Sequence, residues 1–369
     1  MNKILVVGQT PPPYHGQAIM IEKMLSGDYG NIELLHIRLE FSDSMSDIGK
    51  VGLSKIIKLL QVIGKIITMR FRQGIKVLYY PPAGPNLIPI IRDVLILVST
   101  RWLFERTIFH FHASGLTSIY PRLPKLFGWM FRKSYFYPDI AIRLSEFAPE
   151  DGKLLMAKKE FIIPNGIEDE FENYSIERDY SDERCVNILY VGIISDAKGV
   201  GVLLEALVLL KNRGSRFRAS LMGKFVSEEY RQTLEVYLKE KGLDAYVTML
   251  GFLEGKRKWE VYAHADIFCF PTFFDSETFP VVLIEAISFA LPVITTSWRG
   301  IPSIIDDGVH GYMVPIKDSK ALAQKLELLI DDPLLRRKFG WNGRKKYLEY
   351  YSIEKYHQRL LEVFSTAVL

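Results

Sequence analysis

Residues 266–315, DIFCFPTFFDSETFPVVLIEAISFALPVITTSWRGIPSIIDDGVHGYMVP, leave this chain little freedom of fold. An apolar run over 267–270 breaks at Pro271 into a loop holding Asp275, Ser276 and Glu277. After Pro280 the apolar period lengthens, and Val281, Val282, Ile284, Ile287, Ser288 and Leu291 read as one face of a helix. Proline costs nothing in a helix's first turn, so the spacing predicts a helix starting at Phe279 or Pro280. A second apolar run, 292–295, follows at once. Strand, loop, helix and strand in that order make the unit of a parallel sheet.

In such a unit the free N–H groups of the helix start lie beside the carboxyl end of the preceding strand, where donors and dipole together favour an anion such as phosphate. Two carboxylates flank that spot, Glu277 in the loop and Glu285 in the helix. A carboxylate accepts bidentate hydrogen bonds from neighbouring hydroxyls, as on a sugar or a ribose. A phosphate between two hydroxyl-rich groups describes a nucleotide sugar. Taken singly, each glutamate also reads as an ordinary solvated charge.

The stretch resembles the signature of the retaining glycosyltransferases of family 4, among the group 1 glycosyl transferases. It does so through Pro271-Thr272, Glu277-Thr278-Phe279-Pro280, Glu285-Ala286 and Leu291-Pro292-Val293, continued by Gly300-Ile301-Pro302, Asp307-Gly308 and Gly311. The resemblance implies an α/β chain of the GT-B fold, two Rossmann-like parallel-sheet domains facing across a cleft with a C-terminal helix crossing back to the first. It implies that Glu277 contacts the donor sugar and Glu285 the ribose, with Phe279, Pro280 and Val281 lining the donor. Thr278 and Pro280 stand where the family has glycines.

At 369 residues the chain has room for two cores. Hydrophobic residues make up 48% and charged residues 24%, ordinary for soluble protein. Cys185 and Cys269 are too few for a disulfide framework or a zinc site, which points to the cytoplasm. After Lys3 the apolar run reaches only Val7, so no signal peptide is expected, and residues 94–100 are far too short to span a membrane.

Further strands are predicted at 4–7, 32–37, 77–80, 107–112, 139–144 and 161–163, with helices between them, the first beginning near Ala18. The loop after the first strand carries three prolines and Gly16 but no Gly-x-Gly-x-x-Gly, which disfavours a nicotinamide-dependent dehydrogenase. The resemblance places Gly16 beside the donor diphosphate and the acceptor. His110 and His112 share one face of the 107–112 strand. The resemblance carries a histidine at this strand end that reaches the donor sugar, and His112 is the outermost.

Residues 162–167, Ile-Ile-Pro-Asn-Gly-Ile, resemble the point where the family's chain leaves its first domain. The domains implied are 1–166 completed by 352–369, a linker at 167–186, and 187–351. The second domain restarts with a strand at 187–191, then Gly192, Ile193 and, further on, Lys198-Gly199. The family pattern there pairs an Arg with the Lys to clamp the diphosphate. Lys198 matches, Ile193 replaces the Arg, and Lys224, Arg257 and Arg299 are unranked substitutes. More strands are expected at 217–222 and 247–250, and helices at 319–330, 333–347 and 352–364, the last with Ser352 as cap and Glu354 in its first turn.

These expectations make an enzyme that moves a sugar from a nucleoside diphosphate donor, UDP- or GDP-linked, to an acceptor hydroxyl with retention. Glu277, His112 and Lys198 are its catalytic candidates, and Glu285, Gly16, Phe279, Pro280, Val281 and Gly192 bind the donor. No metal or other cofactor is expected. Two alternatives stay open: a metal-dependent glycosyltransferase of the other common fold using Asp275 and Glu277, and a non-catalytic glycosyltransferase-like scaffold, suggested by Ile193.

Charge bears on the acceptor. Between residues 51 and 137 stand thirteen basic residues against two acidic ones, in a chain whose net charge is +4. Lys58, Lys65 and Arg72 recur every seven residues, opposite Ile56, Leu60, Ile63 and Ile67. Residues 122–133 mix four cations with Leu126, Phe127, Trp129 and Phe131. One reading is a solvated basic face. The other is a surface for anionic lipid, with the enzyme peripheral at the inner membrane face and a lipid-linked or saccharide acceptor. No nucleic-acid-binding motif is present, so nucleic acid is not the expected polyanion.

Overall fold

The computed structural model describes residues 1–12, 16–40, 53–113, 115–174, 178, 185–275 and 277–369. Ser114, Ser276 and, of the expected linker, residues 175–177 and 179–184 lie outside them. The chain divides into two compact units, one made of 1–166 with 353–369 and the other of 167–352.

The first unit alternates β1 (Asn2–Gly8), α1 (Gly16–Leu25), β2 (Ile32–Arg38), α2 (Leu53–Arg72), β3 (Val77–Tyr80), α3 (Leu87–Thr100), β4 (Arg106–Phe111), α4 (Lys125–Tyr135), β5 (Ile140–Arg143), α5 (Asp151–Leu154) and β6 (Lys159–Ile162). Among the described residues its sheet has six parallel strands in the order β2-β1-β3-β4-β5-β6. The second unit runs β7 (Val186–Val191), α6 (Val200–Asn212), β8 (Phe217–Met222), α7 (Glu228–Glu240), β9 (Val247–Gly251), α8 (Gly255–His264), β10 (Ile267–Phe270), α9 (Val281–Ser288), β11 (Val293–Thr296), β12 (Gly311–Val314), α10 (Ser319–Asp331) and α11 (Pro333–Lys346). Its sheet, also parallel, has the order β12-β11-β10-β7-β8-β9.

Strands buried on both faces have no reason to alternate apolar with polar residues. Ile4, Leu5, Val6 and Val7 of β1 and Ile267, Phe268, Cys269 and Phe270 of β10 are accordingly all buried. Caps end the helices at polar residues: Asp318 accepts from the Ala321 N–H, Asp332 from Leu335 and Ser227 from Tyr230. After a π-helical turn at Tyr347–Tyr351, α12 (Ile353–Val368) begins, with Glu354 in its first turn. It packs Tyr356, Leu360, Val363 and Phe364 against Met20, Tyr79 and Ile108 of the first unit, each apolar side chain adding about 1.5–3 kcal/mol.

Beside shifts at element ends, such as β6 at 159–162 and the last helix running on to Val368, four departures from the sequence-based expectation stand out. β4 stops at Phe111, so His112 sits in the loop rather than on the strand. α9 starts at Val281 with Pro280 as its cap residue and ends at Ser288. β12 is an additional strand, four residues long and opened by Gly311, too short to show a period. On α2 the row facing the sheet is Leu59, Val62, Ile63, Ile66 and Met69, which leaves Ile56, Leu60 and Ile67 exposed beside the cations rather than beneath them.

Two close approaches set the carboxyl edge of the second sheet. A Cβ on Gly223 would lie 1.7 Å from the Gly192 carbonyl oxygen, and one on Gly199 would lie 2.0 Å from that of Pro271. The loops after β7, β8 and β10 are thereby held backbone to backbone. Gly64 is the opposite case, an exposed glycine within α2 with nothing within 4 Å of an added Cβ. Gly223→Ala is therefore expected to destabilise the protein by more than about 1 kcal/mol, whereas Gly64→Ala stabilises it by about 0.5–1 kcal/mol. Urea unfolding of both variants beside the wild type checks this, and an undiminished midpoint for Gly223→Ala would refute the contact.

Candidate functional site

In the second sheet the strand order reverses between β7 and β10, since β8 and β9 lie on one side of β7 while β10, β11 and β12 lie on the other. A crevice opens at the carboxyl ends of such a pair. The loops after β7 and β10 carry Lys198 and Glu277, joined where the Phe273 N–H donates to the Ala197 carbonyl at 3.0 Å. Lys198 Nζ donates to Glu277 Oε2 at 2.5 Å and sits 4.5 Å from the Phe274 ring centroid and 5.7 Å from that of Phe270. Thr272 donates its hydroxyl to the same carboxylate oxygen at 3.2 Å. Both partners are largely withdrawn from water, and the pair stands at the switch point.

Glu285, buried on α9, is held from α8. Lys258 Nζ donates to Oε1 at 2.5 Å and the Tyr262 hydroxyl to Oε2 at 2.7 Å. Burial pushes the Tyr262 phenol well above its usual pKa and the Glu285 charge adds to that, so Tyr262 stays a donor. A carboxylate has about four acceptor positions, which leaves two for another ligand. Lys258 and Tyr262 escaped sequence reasoning, although their spacing of four puts them on one face of a helix.

Of the other donor-side candidates, Gly192 donates its N–H to the Met222 carbonyl at 3.0 Å, and Phe279 turns its buried ring onto Tyr351, 5.9 Å away between centroids. Pro280 and Val281 stand at the start of α9. Asp275 is exposed and faces Arg299 at 3.8 Å, while Glu277 faces Lys198. The two carboxylates that the metal-dependent alternative requires thus answer to different cations.

The first unit holds the remaining candidates. Its sheet reverses between β1 and β3, and Gly16 opens α1 after β1, exposed and with open space where a Cβ would stand. His112 follows β4, its ring 4.0 Å from that of His110. Burial, and secondly the neighbouring His112, drive the His110 pKa well below its usual value, so His110 is neutral; its Nδ1 pairs with the Tyr79 hydroxyl at 2.6 Å. Two buried carboxylates missing from the sequence reading fasten the loops here. Asp151 accepts from the N–H groups of Gly115 and Thr117 and from the Thr117 hydroxyl, pinning the segment after His112. Asp93 accepts from the Ala83 N–H and the Tyr80 hydroxyl after β3. Among the described residues, no helix is long and apolar enough to cross a membrane.

Comparison with known proteins comes to the same place. Residues 178–346 match the sequence profile of the glycosyl transferases group 1. The chain is 27% identical over 209 residues to the capsular polysaccharide biosynthesis glycosyltransferase CapM of Staphylococcus aureus, covering 55% of this chain and 53% of CapM. It is 32% identical over 171 residues to the amylovoran biosynthesis glycosyltransferase AmsK of Erwinia amylovora, covering 45% of this chain and 41% of AmsK. The chain thus spans about half or less of the length of these curated relatives. Anabaena HepE, solved in complex with UDP, superposes with a TM-score of 0.75 over 99% of this chain and 100% of its own, at 16% identity. Sucrose-phosphate synthase from Thermosynechococcus elongatus gives 0.71 over 99% of each chain, also at 16% identity. The fold is that of the GT-B proteins.

If Lys258 and Glu285 stabilise one another as their geometry indicates, each single change, Lys258→Met or Glu285→Gln, leaves a partner without its counter-charge. We expect a double-mutant cycle in urea unfolding to give a coupling of at least about 1 kcal/mol. Additive effects would mean that the two side chains act independently.

Proposed function

We propose, on the premise that residues 178–346 are a glycosyl transferases group 1 domain, that this protein moves a sugar from a nucleoside diphosphate donor to an acceptor hydroxyl with retention at the anomeric carbon. The observation that carries this is the Lys198–Glu277 pair at the switch point of the second sheet. Each partner has a natural replacement there: Lys198 exchanges the carboxylate for diphosphate oxygens, and Glu277, released, accepts from sugar hydroxyls. Glu285, steadied by Lys258 and Tyr262, spends its remaining acceptor positions on the ribose. His112 positions the sugar, and Gly16 and Gly192 let backbone approach the donor.

Departure of the diphosphate is the demanding event, and a fixed cation lowers its barrier by meeting charge as it develops. The acceptor's proton passes to the leaving phosphate, so no protein nucleophile is invoked, and the chemistry asks for no metal. HepE was solved with UDP, which favours a uridine or similar nucleotide. CapM and AmsK are named for polysaccharide biosynthesis, which favours an acceptor in surface polysaccharide or glycolipid assembly. Lys198→Ala is expected to lower kcat about a hundredfold, measured as release of nucleoside diphosphate from donor sugars. Near-normal turnover would reassign the role, and a wild type that neither binds nucleotide nor transfers sugar would favour the scaffold alternative.

The acceptor reading draws on the first unit's outer surface. α2, α3 and α4 lie side by side on one face of its sheet. Ile56, Leu60, Phe71, Leu126 and Trp129 are each at least half exposed on α2 and α4, among Lys58, Lys65, Arg72, Lys125 and Lys133. Apolar side chains left outside among cations suit an anionic bilayer, where each Lys or Arg adds about 1 kcal/mol and Trp settles at headgroup level. The protein would then work peripherally at the cytoplasmic face, on a lipid-linked acceptor. Vesicles containing phosphatidylglycerol should sediment the wild type at low salt but not at high salt. With Lys58, Lys65 and Arg72 all changed to Gln, the protein should stay in the supernatant at both. Equal pelleting of the triple variant would sink this reading.

A further inference from the structure

Ile193 stands where the family pattern has an arginine for the diphosphate, and a single lysine leaves that group undercompensated. We propose that Lys224, on the neighbouring loop, supplies the second positive charge; this rests on the nucleotide-sugar reading above.

The loops after β7 and β8 continue side by side past the ends of their strands. The Ile194 N–H donates to the Lys224 carbonyl at 2.8 Å and the Val226 N–H to the Ile194 carbonyl at 3.1 Å, a parallel bridge of Ile194 with Phe225. Ile193 and Lys224 each precede the bridged pair by one residue. They therefore stand in register, where a parallel ladder aims both side chains to one face. The glycine contact beneath, Gly223 on Gly192, brings the two loops together with no room for a side chain between them. A side chain at 224 thus emerges beside the one at 193, on the loop adjacent to that leading to Lys198.

The other cations are placed less well. Arg299 is turned toward Asp275, in a strained left-handed conformation at φ 50°. Arg257, in the first turn of α8, lines a cavity with Leu250, Leu253 and Glu260 rather than with the loops after β7 and β8. Lys258 belongs to Glu285. Lys224 is exposed, and its Nζ rests 4.5 Å from the Phe252 ring centroid. Phe252 follows β9, so the ammonium rests on the side away from β7, but an aromatic face holds it without taking up its three donors, and the cation is free to swing to a phosphate oxygen. Among the described residues no carboxylate competes for it within ion-pair distance.

The test is calorimetric titration of UDP, GDP, ADP and dTDP, with the matching nucleosides as controls. For whichever diphosphate the wild type binds, Lys224→Met should weaken binding about tenfold or more, the scale of a hydrogen bond to a charged group, and leave the nucleoside's affinity unchanged. Lys224→Arg should keep wild-type affinity. Adding Ile193→Arg to Lys224→Met should recover most of the loss, because the charge returns from the adjacent loop. Unchanged diphosphate binding by Lys224→Met overturns the proposal, as does an equal fall for the nucleoside or a double variant no better than the single one. A wild type that binds none of the four diphosphates refutes the nucleotide-site reading itself, and this proposal with it.

Discussion

The carboxyl edge of the second sheet depends on backbone meeting backbone. Gly223 against Gly192 and Gly199 against Pro271 bring three loops to distances that no side chain would allow. Three of the residues of chemical interest in that unit are mounted on those loops: Lys198 after β7, Lys224 after β8, Glu277 after β10. A cation and a carboxylate sharing a poorly hydrated place lose solvation, and their mutual attraction offsets that only when the geometry is good. The glycines provide the geometry. Specificity of this kind is set by the frame and only then used by the charges.

The two units solve the loop problem differently. In the first, carboxylates do the fastening: the buried Asp93 after β3, the buried Asp151 after β4 and, where β4 begins, the part-buried Asp139 accepting from the Thr107 N–H. Each satisfies backbone donors that would otherwise be stranded as the chain enters or leaves the sheet. In the second unit, glycine contacts, threonine hydroxyls and an indole perform the same task, with Thr295 donating its hydroxyl to the Phe270 carbonyl and Trp298 its Nε1–H to that of Phe274.

Much of this was legible in the sequence because strands buried on both faces write themselves as apolar runs. The stretches 77–80 and 267–270 are such runs, and the structure forms them over the same residues. Where the signal is weaker the reading slipped. β12 offers only Gly311 to Val314, and α2 carries apolar residues round enough of its circumference that periodicity alone could not say which row faces the sheet. The candidate site was legible as a set of residue types but not as a set of partnerships. Lys198 with Glu277 and Lys258 with Glu285 join residues 79 and 27 positions apart, and such pairings are settled by tertiary packing, which a linear pattern does not contain. Asp93 and Asp151 were missed for the same reason, since a buried acid looks like a surface acid until the fold closes over it.

The first unit has a seam in time as well as in space. Its core is finished by α12, whose Tyr356, Leu360, Val363 and Phe364 cover Met20, Tyr79 and Ile108, and α12 follows the whole of residues 167–352 in the chain. During synthesis β1, β3 and β4 therefore emerge long before the helix that shields one of their faces. A nascent first unit carries an uncovered apolar surface, of the sort that recruits chaperones or unwanted partners, while the second unit, one continuous segment, is free to fold as it leaves the ribosome. Commitment of the two halves is thus ordered, and the half that begins first is completed last.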